Sequence, residues 1–330
     1  MPARETAREL VRSRASRAPE GPEAAGLARA LAEAGGGAVR AIVFFGSQRS
    51  QAAARNEWSA FDLFVLTSDY GRFYRGLRQA GQLRRPVRLV AWLNAWLPPN
   101  QISFRALDEG GLERHGKCAV IDEEVFARET SAARRDHFCA GRLFQPSELV
   151  YAADEAARAS TLDALASAHL VTLDWIRPWL PESFDASEYC HTLLRVSLSR
   201  EIRPEPEGRS DALFEAQQLD LVPLYTRLLE EYCRDGALGL VAPGRYSLAR
   251  PVAASERKRI EAYFRRSLFR ATARWAKYVL TFEAWLDYIV RKAERHTGEE
   301  VVLTPREQRF PLVFLWPRIF RYLRDKDKRR

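Results

Sequence analysis

The residues whose types and spacing could do chemistry lie between positions 44 and 65. Phe44-Phe45-Gly46-Ser47 ends one apolar run and Ser59-Ala60-Phe61-Asp62-Leu63-Phe64-Val65 begins another, with Asp62 fifteen residues after Ser47. A strand that runs out into Gly-Ser and opens a helix turns free backbone N–H groups and a hydroxyl toward a phosphate, and glycine lets the backbone come close. A carboxylate on the neighbouring strand can hold Mg²⁺ against the same phosphate. Nucleotidyl transfer asks for both, because the triphosphate must be clamped and the charge on the pyrophosphate leaving group offset. Gly46 and Ser47 are therefore candidate phosphate ligands, and Asp62 is a candidate metal ligand and catalytic residue. Taken singly, a Gly-Ser pair also suits a plain turn, and a lone strand aspartate also suits an exposed edge.

Two cations extend the set. Lys117 and Arg142 suit phosphate charge, the lysine as a point charge and the arginine as a bidentate fork. Taken alone, a surface position or a salt bridge is the simpler account of either residue. Glu201 and Arg203 are open between a phosphate site and an internal ion pair. Asp69 is a poor second metal ligand, since seven residues of strand cover about 23 Å and an odd offset points to the other sheet face. It is expected to end the strand and cap the following helix. None of the five histidines falls in an HExxH pattern or a Cys/His cluster, so any metal is expected to have oxygen ligands. The four cysteines (Cys118, Cys139, Cys190, Cys233) form no CxxC pair and read as reduced, mostly core thiols.

The elements that must position these residues read as follows. A helix is expected over Glu23–Ala34, between Pro22 and Gly35-Gly36-Gly37, and strands over Val39–Phe45, Phe61–Thr67 and Val87–Leu93. A helix is expected over Asp69–Gly81. Gln101–Ala106 and Lys117–Ile121 read as a hairpin across Asp108-Glu109-Gly110-Gly111. Beyond Pro146 the apolar spacing becomes helical. The exception is Gly236–Leu248, where Leu238–Val241 and Tyr246–Leu248 flank Pro243-Gly244 as a winged-helix-like hairpin. Residues 271–296 carry Trp275, Val279, Phe282, Leu286 and Ile289 on one helical face, expected to be core. The fold class expected is α+β: a mixed sheet with flanking helices, then a mainly helical domain with a small hairpin. The divisions expected are 1–37, an N-terminal helix and linker; 38–150, the sheet domain; 151–300, the helical domain; and 301–330, a tail.

A chain of 330 residues, 46% hydrophobic and 29% charged, has ample material for a core, and no apolar run approaches the ~20 residues that span a bilayer. Arg4, Arg8, Arg12, Arg14 and Arg17 give the N-terminus a transit-like look, which Glu5, Glu9, Glu20 and Glu23 contradict. The net charge is +9, and Pro305–Arg330 alone holds nine Arg or Lys against three acids. Charge so placed suits a tail against an anionic surface better than a nucleic-acid groove across a domain.

The Gly-Ser and Asp62 arrangement resembles the polymerase-β-type nucleotidyltransferase superfamily, which usually has two acids one residue apart; here Ala60 stands at the first. Further stretches resemble one family within it, the mitochondrial-type phosphatidate cytidylyltransferases, in which that first position is also apolar. These stretches are Lys117-Cys118-Ala119-Val120-Ile121, Ala140-Gly141-Arg142-Leu143 with Pro146, and Asn100 after Trp96-Leu97-Pro98-Pro99. Leu180-Pro181-Glu182-Ser183-Phe184 and Val196–Arg203 complete them, with Glu201 where aspartate is usual. Gln48 stands where a second glycine is expected. The resemblance runs from residue 41 to about 203 and implies transfer of CMP from CTP to phosphatidic acid, giving CDP-diacylglycerol and pyrophosphate with Mg²⁺. It implies roles for Asp62, Lys117 and Arg142 in catalysis and for Gly46, Ser47, Asn100, Glu201 and Arg203 in phosphate or nucleotide binding. It also implies a peripheral place on a membrane, cytoplasmic in a bacterium or on the matrix face in a mitochondrion; the tail's own aromatic and basic residues are expected to dock there, the alternative being that Phe310–Trp316 packs on the helical domain. No nucleic-acid partner is expected. The alternatives are a nucleotidyltransferase with a non-lipid acceptor, and an inactive scaffold of the same fold that binds membrane or nucleic acid.

Overall fold

The computed structural model describes residues 2–15, 22–46, 60–108, 110–200, 208–281, 290, 294, 301–309 and 314. The chain divides into two bodies, Met1–Thr281 and Phe282–Arg330. The first is α+β and holds a five-stranded sheet in the order β3-β4-β2-β1-β5. Its strands are β1 (Val39–Phe45), β2 (Phe61–Thr67), β3 (Asn100–Leu107), β4 (Glu113–Asp122) and β5 (Glu148–Ala152). β2 and β4 run parallel; the other neighbours are antiparallel.

Alternation along the strands sorts side chains into two cores. Val43, Phe45, Phe64, Leu66, Ala119 and Ile121 face one core; Ile42, Phe44, Leu63, Val65, Cys118 and Val120 face the other. The second core is closed by α2 (Pro22–Ala34), α3 (Tyr70–Gln79) and α4 (Val87–Trp96), through Leu27, Leu31, Phe73, Leu77 and Val90. Asp69 caps α3 as expected, its carboxylate accepting from the backbone N of Arg72 at 2.6 Å. The first core is larger and receives α1 (Pro2–Ala15), α7 (Glu155–Leu170), α9 (Ala186–Ser199), α10 (Arg209–Arg234) and the first half of α11 (Ala254–Thr281). Ala3, Ala7 and Val11 make α1 part of this core. Short helices α5 (Glu123–Glu129), α6 (Ala140–Leu143) and α8 (Thr172–Ile176) complete the layer. The expected hairpin forms from β6 (Leu238–Ala242) and β7 (Arg245–Leu248), and Tyr246 exchanges backbone hydrogen bonds with Phe184. In the second body, a short helix over Pro305–Arg309 is capped reciprocally by Thr304 and Glu307.

Two expectations are corrected. Val87–Leu93 is not a strand but most of α4, with Val90, Leu93 and Asn94 turned inward. A short apolar run fits either structure, and Pro86 before it suits a helix start as well as a strand boundary. Trp275 is not core: it is 48% exposed, and the buried positions around it are Arg274, Lys277 and Thr281. Phe282, Leu286 and Ile289 of that expected apolar face lie outside the described residues.

Candidate functional site

Three of the sequence candidates meet at one corner of the sheet. β1 ends at Phe45, whose register partner on β2 is Asp62, and Asp62 in turn is level with Lys117 on the parallel strand β4. Alternation puts Asp62 in the row of Phe64 and Leu66, and Lys117 in the row of Ala119 and Ile121. Both side chains therefore lie on the face toward the helical layer. Lys117 Nζ is 3.8 Å from Asp62 Oδ1, with the side chains 23% and 33% exposed. Gly46 follows directly, with φ +91°, and a Cβ placed on it would sit 2.8 Å from Asp62 Oδ2. Glycine is needed there both for the left-handed backbone and for the clearance over the carboxylate.

Arg142 reaches the same face by a different route. It sits on α6, donates Nη1 to Phe138 O at 3.0 Å, and lies 4.2 Å from the Phe138 ring centroid. That ring is 5.9 Å from Phe64, two residues along from Asp62. Gly141 lets α6 close on the segment before it, since a Cβ there would stand 2.5 Å from His137 Cδ2. His137 is pinned by Tyr263 Oη on Nδ1 and Ser197 Oγ on Nε2, each at 3.1 Å. Ser197 also donates to Gly141 O. The Ala140–Leu143 and Val196–Ser199 stretches, far apart in sequence, thus share one hydrogen-bonded junction. Burial, then the nearby Arg134 and Arg142, push the His137 pKa down to about 3, so its ring is neutral at physiological pH.

Asn100 is not brought to this corner. It is fully buried on the opposite sheet face, where Nδ2 donates to Tyr74 Oη at 3.1 Å and to Val90 O at 2.9 Å. Its register partner is Val120, whereas Lys117 is opposite Ser103, about 10 Å along the strand. Asn100 joins β3 to α3 and α4. Ser47, Glu201 and Arg203 lie outside the described residues, as does nearly all of Pro305–Arg330 beyond Arg309.

The sequence reading missed a second cationic group beside Phe138. Asp136 accepts from Arg274 at 2.8 and 3.2 Å and from Arg270 at 2.7 Å, and Arg274 also lies 4.8 Å from the Phe138 ring centroid. Burial works against the ionised Asp136, but the charge and hydrogen bonds of Arg274, with that of Arg270, outweigh it and hold its pKa at about 2. One turn on, Lys277 donates to the carbonyl oxygens of Leu97 and Pro99, and burial followed by Arg274 and Arg270 pushes its pKa down to about 6. The available signal was the spacing Arg270, Arg274, Lys277, Thr281, a helical stripe that charge alone assigns to solvent.

Among the described residues, no three His, Cys, Asp or Glu side chains gather where they could hold a metal. Asp62 is a single carboxylate, 33% exposed, beside Gly46 and Lys117. Mg²⁺ keeps several waters and is commonly bound by one or two carboxylates plus substrate phosphates, so this corner suits a metal that arrives with a nucleotide. The arrangement pairs one carboxylate, one lysine and the glycine that ends β1, with Arg142 on the same face. That is a set for binding and polarising phosphate esters. The chain matches no known family model and no curated protein sequence.

Proposed function

We propose that the protein is a Mg²⁺-dependent nucleotidyltransferase, a phosphatidate cytidylyltransferase that makes CDP-diacylglycerol and pyrophosphate from CTP and phosphatidic acid. The observation that carries the proposal is the meeting of Gly46, Asp62 and Lys117 at one sheet corner, from three strands and 72 positions of chain. The lipid and the cytidine rest on the motif resemblance. In this reading Asp62 holds Mg²⁺, which offsets charge on the triphosphate when bound, and Gly46 with Ser47 admits the triphosphate. Lys117 and Arg142 bind phosphate oxygens and orient the two substrates. The phosphatidate oxygen attacks the α-phosphorus of CTP in line, the bond from that phosphorus to the β-phosphate oxygen breaks, and pyrophosphate leaves. A phosphate monoester is already largely ionised near neutral pH, with its second pKa at about 6, so no strong general base is needed. The neutral, buried His137 agrees with that. The same reading places the protein peripherally on an anionic membrane through Pro305–Arg330.

The test is incubation with CTP, phosphatidic acid and Mg²⁺, followed by mass spectrometry for CDP-diacylglycerol. Asp62→Ala should lower turnover by at least ~10³-fold, because it removes charge stabilisation worth several kcal/mol at the transition state. Its melting temperature should hardly move, since a half-exposed ion pair contributes only ~0–1 kcal/mol. A folded Asp62→Ala protein with normal turnover would overturn the site. A second reading, an inactive scaffold, is favoured by Ala60 and by the lysine already paired with Asp62; a wild-type protein that forms no nucleotidyl product with any acceptor supports it.

A further inference from the structure

The α4 helix buries Val90 and Leu93 as a surface helix should, but its outer face is apolar as well. Asn94 is fully buried, while Leu89, Trp92 and Trp96 project outward at 42%, 61% and 62% exposure. The two indoles lie parallel, 3° between planes and 6.1 Å between centroids, so each covers part of the other and both remain open to solvent. α11 is tied to the end of this helix by Lys277, which donates to the carbonyls of Leu93 and Leu97. Two residues before that lysine, Trp275 is also turned outward.

Charge decides what such a face suits. Tyr70–Leu107 contains seven arginines and no Asp or Glu, and Arg84 and Arg85, just before the start of α4, are exposed. Among these cations Arg88 is exposed on α4 next to Leu89. A second copy of the same face would set arginine against arginine. Tryptophan prefers the boundary between hydrocarbon and water, and a helix with outward Trp and Leu beside arginines suits a headgroup layer of opposite charge.

We propose that the outer face of α4 is a docking surface for an anionic phospholipid bilayer. The helix lies in the plane of the interface, its indoles at headgroup depth and Arg88, with Arg84 and Arg85 just before the helix, against lipid phosphates. This docking is independent of the reaction catalysed and of the C-terminal tail.

The test uses the full chain and sedimentation with phosphatidylcholine vesicles, with and without phosphatidylglycerol. Phosphatidic acid is left out so that binding does not report the proposed substrate. Wild-type protein should bind the anionic vesicles and release in high salt. The double variant Trp92→Ser/Trp96→Ser should need at least tenfold more lipid for half-binding at an unchanged melting temperature. Arg88→Glu should weaken binding to anionic vesicles alone and supplies the same reading should the double variant fold poorly. Wild-type-like binding by the double variant and Arg88→Glu assigns the face to a protein partner or to this chain's own tail, and overturns the proposal. So does a wild-type dimer in sedimentation velocity that the double variant abolishes.

Discussion

Gly46 and Gly141 are both glycines of necessity, for different reasons. At Gly46 the backbone has φ +91° and Asp62 Oδ2 stands where a methyl group would go. Gly46→Ala should therefore cost about 1–2 kcal/mol from the left-handed backbone alone. It should cost turnover more than stability, because the added methyl displaces the carboxylate; thermal melting and the CDP-diacylglycerol assay on one sample separate the two. Full activity in that variant would mean that Asp62 needs no fixed position. At Gly141 the obstacle is the His137 ring, one turn earlier in the chain. The sequence made both glycines visible as members of motifs. The reason for the second was not visible, because nothing in Ala140-Gly141-Arg142 says which side chain will press against it.

Among the elements, α11 changes character along its length. Its inward positions are apolar at Ile260 and Phe264 and polar from Ser267 through Arg274, Lys277 and Thr281. Arg274 and Arg270 persist as cations because Asp136 pairs with both, whereas Lys277, with its pKa held near 6, donates to backbone carbonyls. Breaking a buried pair by removing one partner leaves the other charge stranded, at a cost of about 3–5 kcal/mol, whereas removing both can be nearly neutral. Asp136→Asn should accordingly lower the urea midpoint sharply, and Asp136→Leu with Arg274→Met should recover much of the loss. An unchanged midpoint in Asp136→Asn would contradict the pairing. The single strand misread as such, Val87–Leu93, shows the converse limit. Seven residues hold too few turns for periodicity to separate helix from strand, and the choice fell to the packing of Val90 and Leu93.

At the scale of the whole first body, three buried bases set its response to pH. His137 and His169 have pKa values near 3, both because burial penalises the charged ring, and Lys277 is held near 6. Each pKa is depressed below its unfolded value, so the unfolded chain binds more protons between the two, and stability rises with pH across that interval. The intervals run from about 3 to 6.5 for the histidines and from about 6 to 10.5 for Lys277. The melting temperature should therefore fall steadily from pH 8 to pH 5, before Asp136 begins to lose its proton-free form. His169→Asn should flatten the lower part of that slope, as melts at unit pH intervals would register. A melting temperature that rises on acidification would contradict the burial of these groups.

Local signals sufficed for the strands β1 and β2, the helix cap at Asp69, the hairpin of β6 and β7, and the pairing of β3 with β4. In each of these, alternation, a turn or a capping side chain acts within a few residues. The strand β5 escaped, although Leu149-Val150-Tyr151 has strand character, because its value to the fold is to cover the edge of β1 more than a hundred residues away. Sequence spacing singled out Gly46, Asp62 and Lys117, but not that Asp62 and Lys117 face each other across a parallel pair. The motif resemblance offered Asn100 as their companion, and the parity of β3 sent that residue to the other face. The inward arginines of α11 and the outward tryptophans of α4 were decided by tertiary structure alone. Composition tells which side chains prefer water, but which face of a helix meets protein depends on what the rest of the chain places beside it.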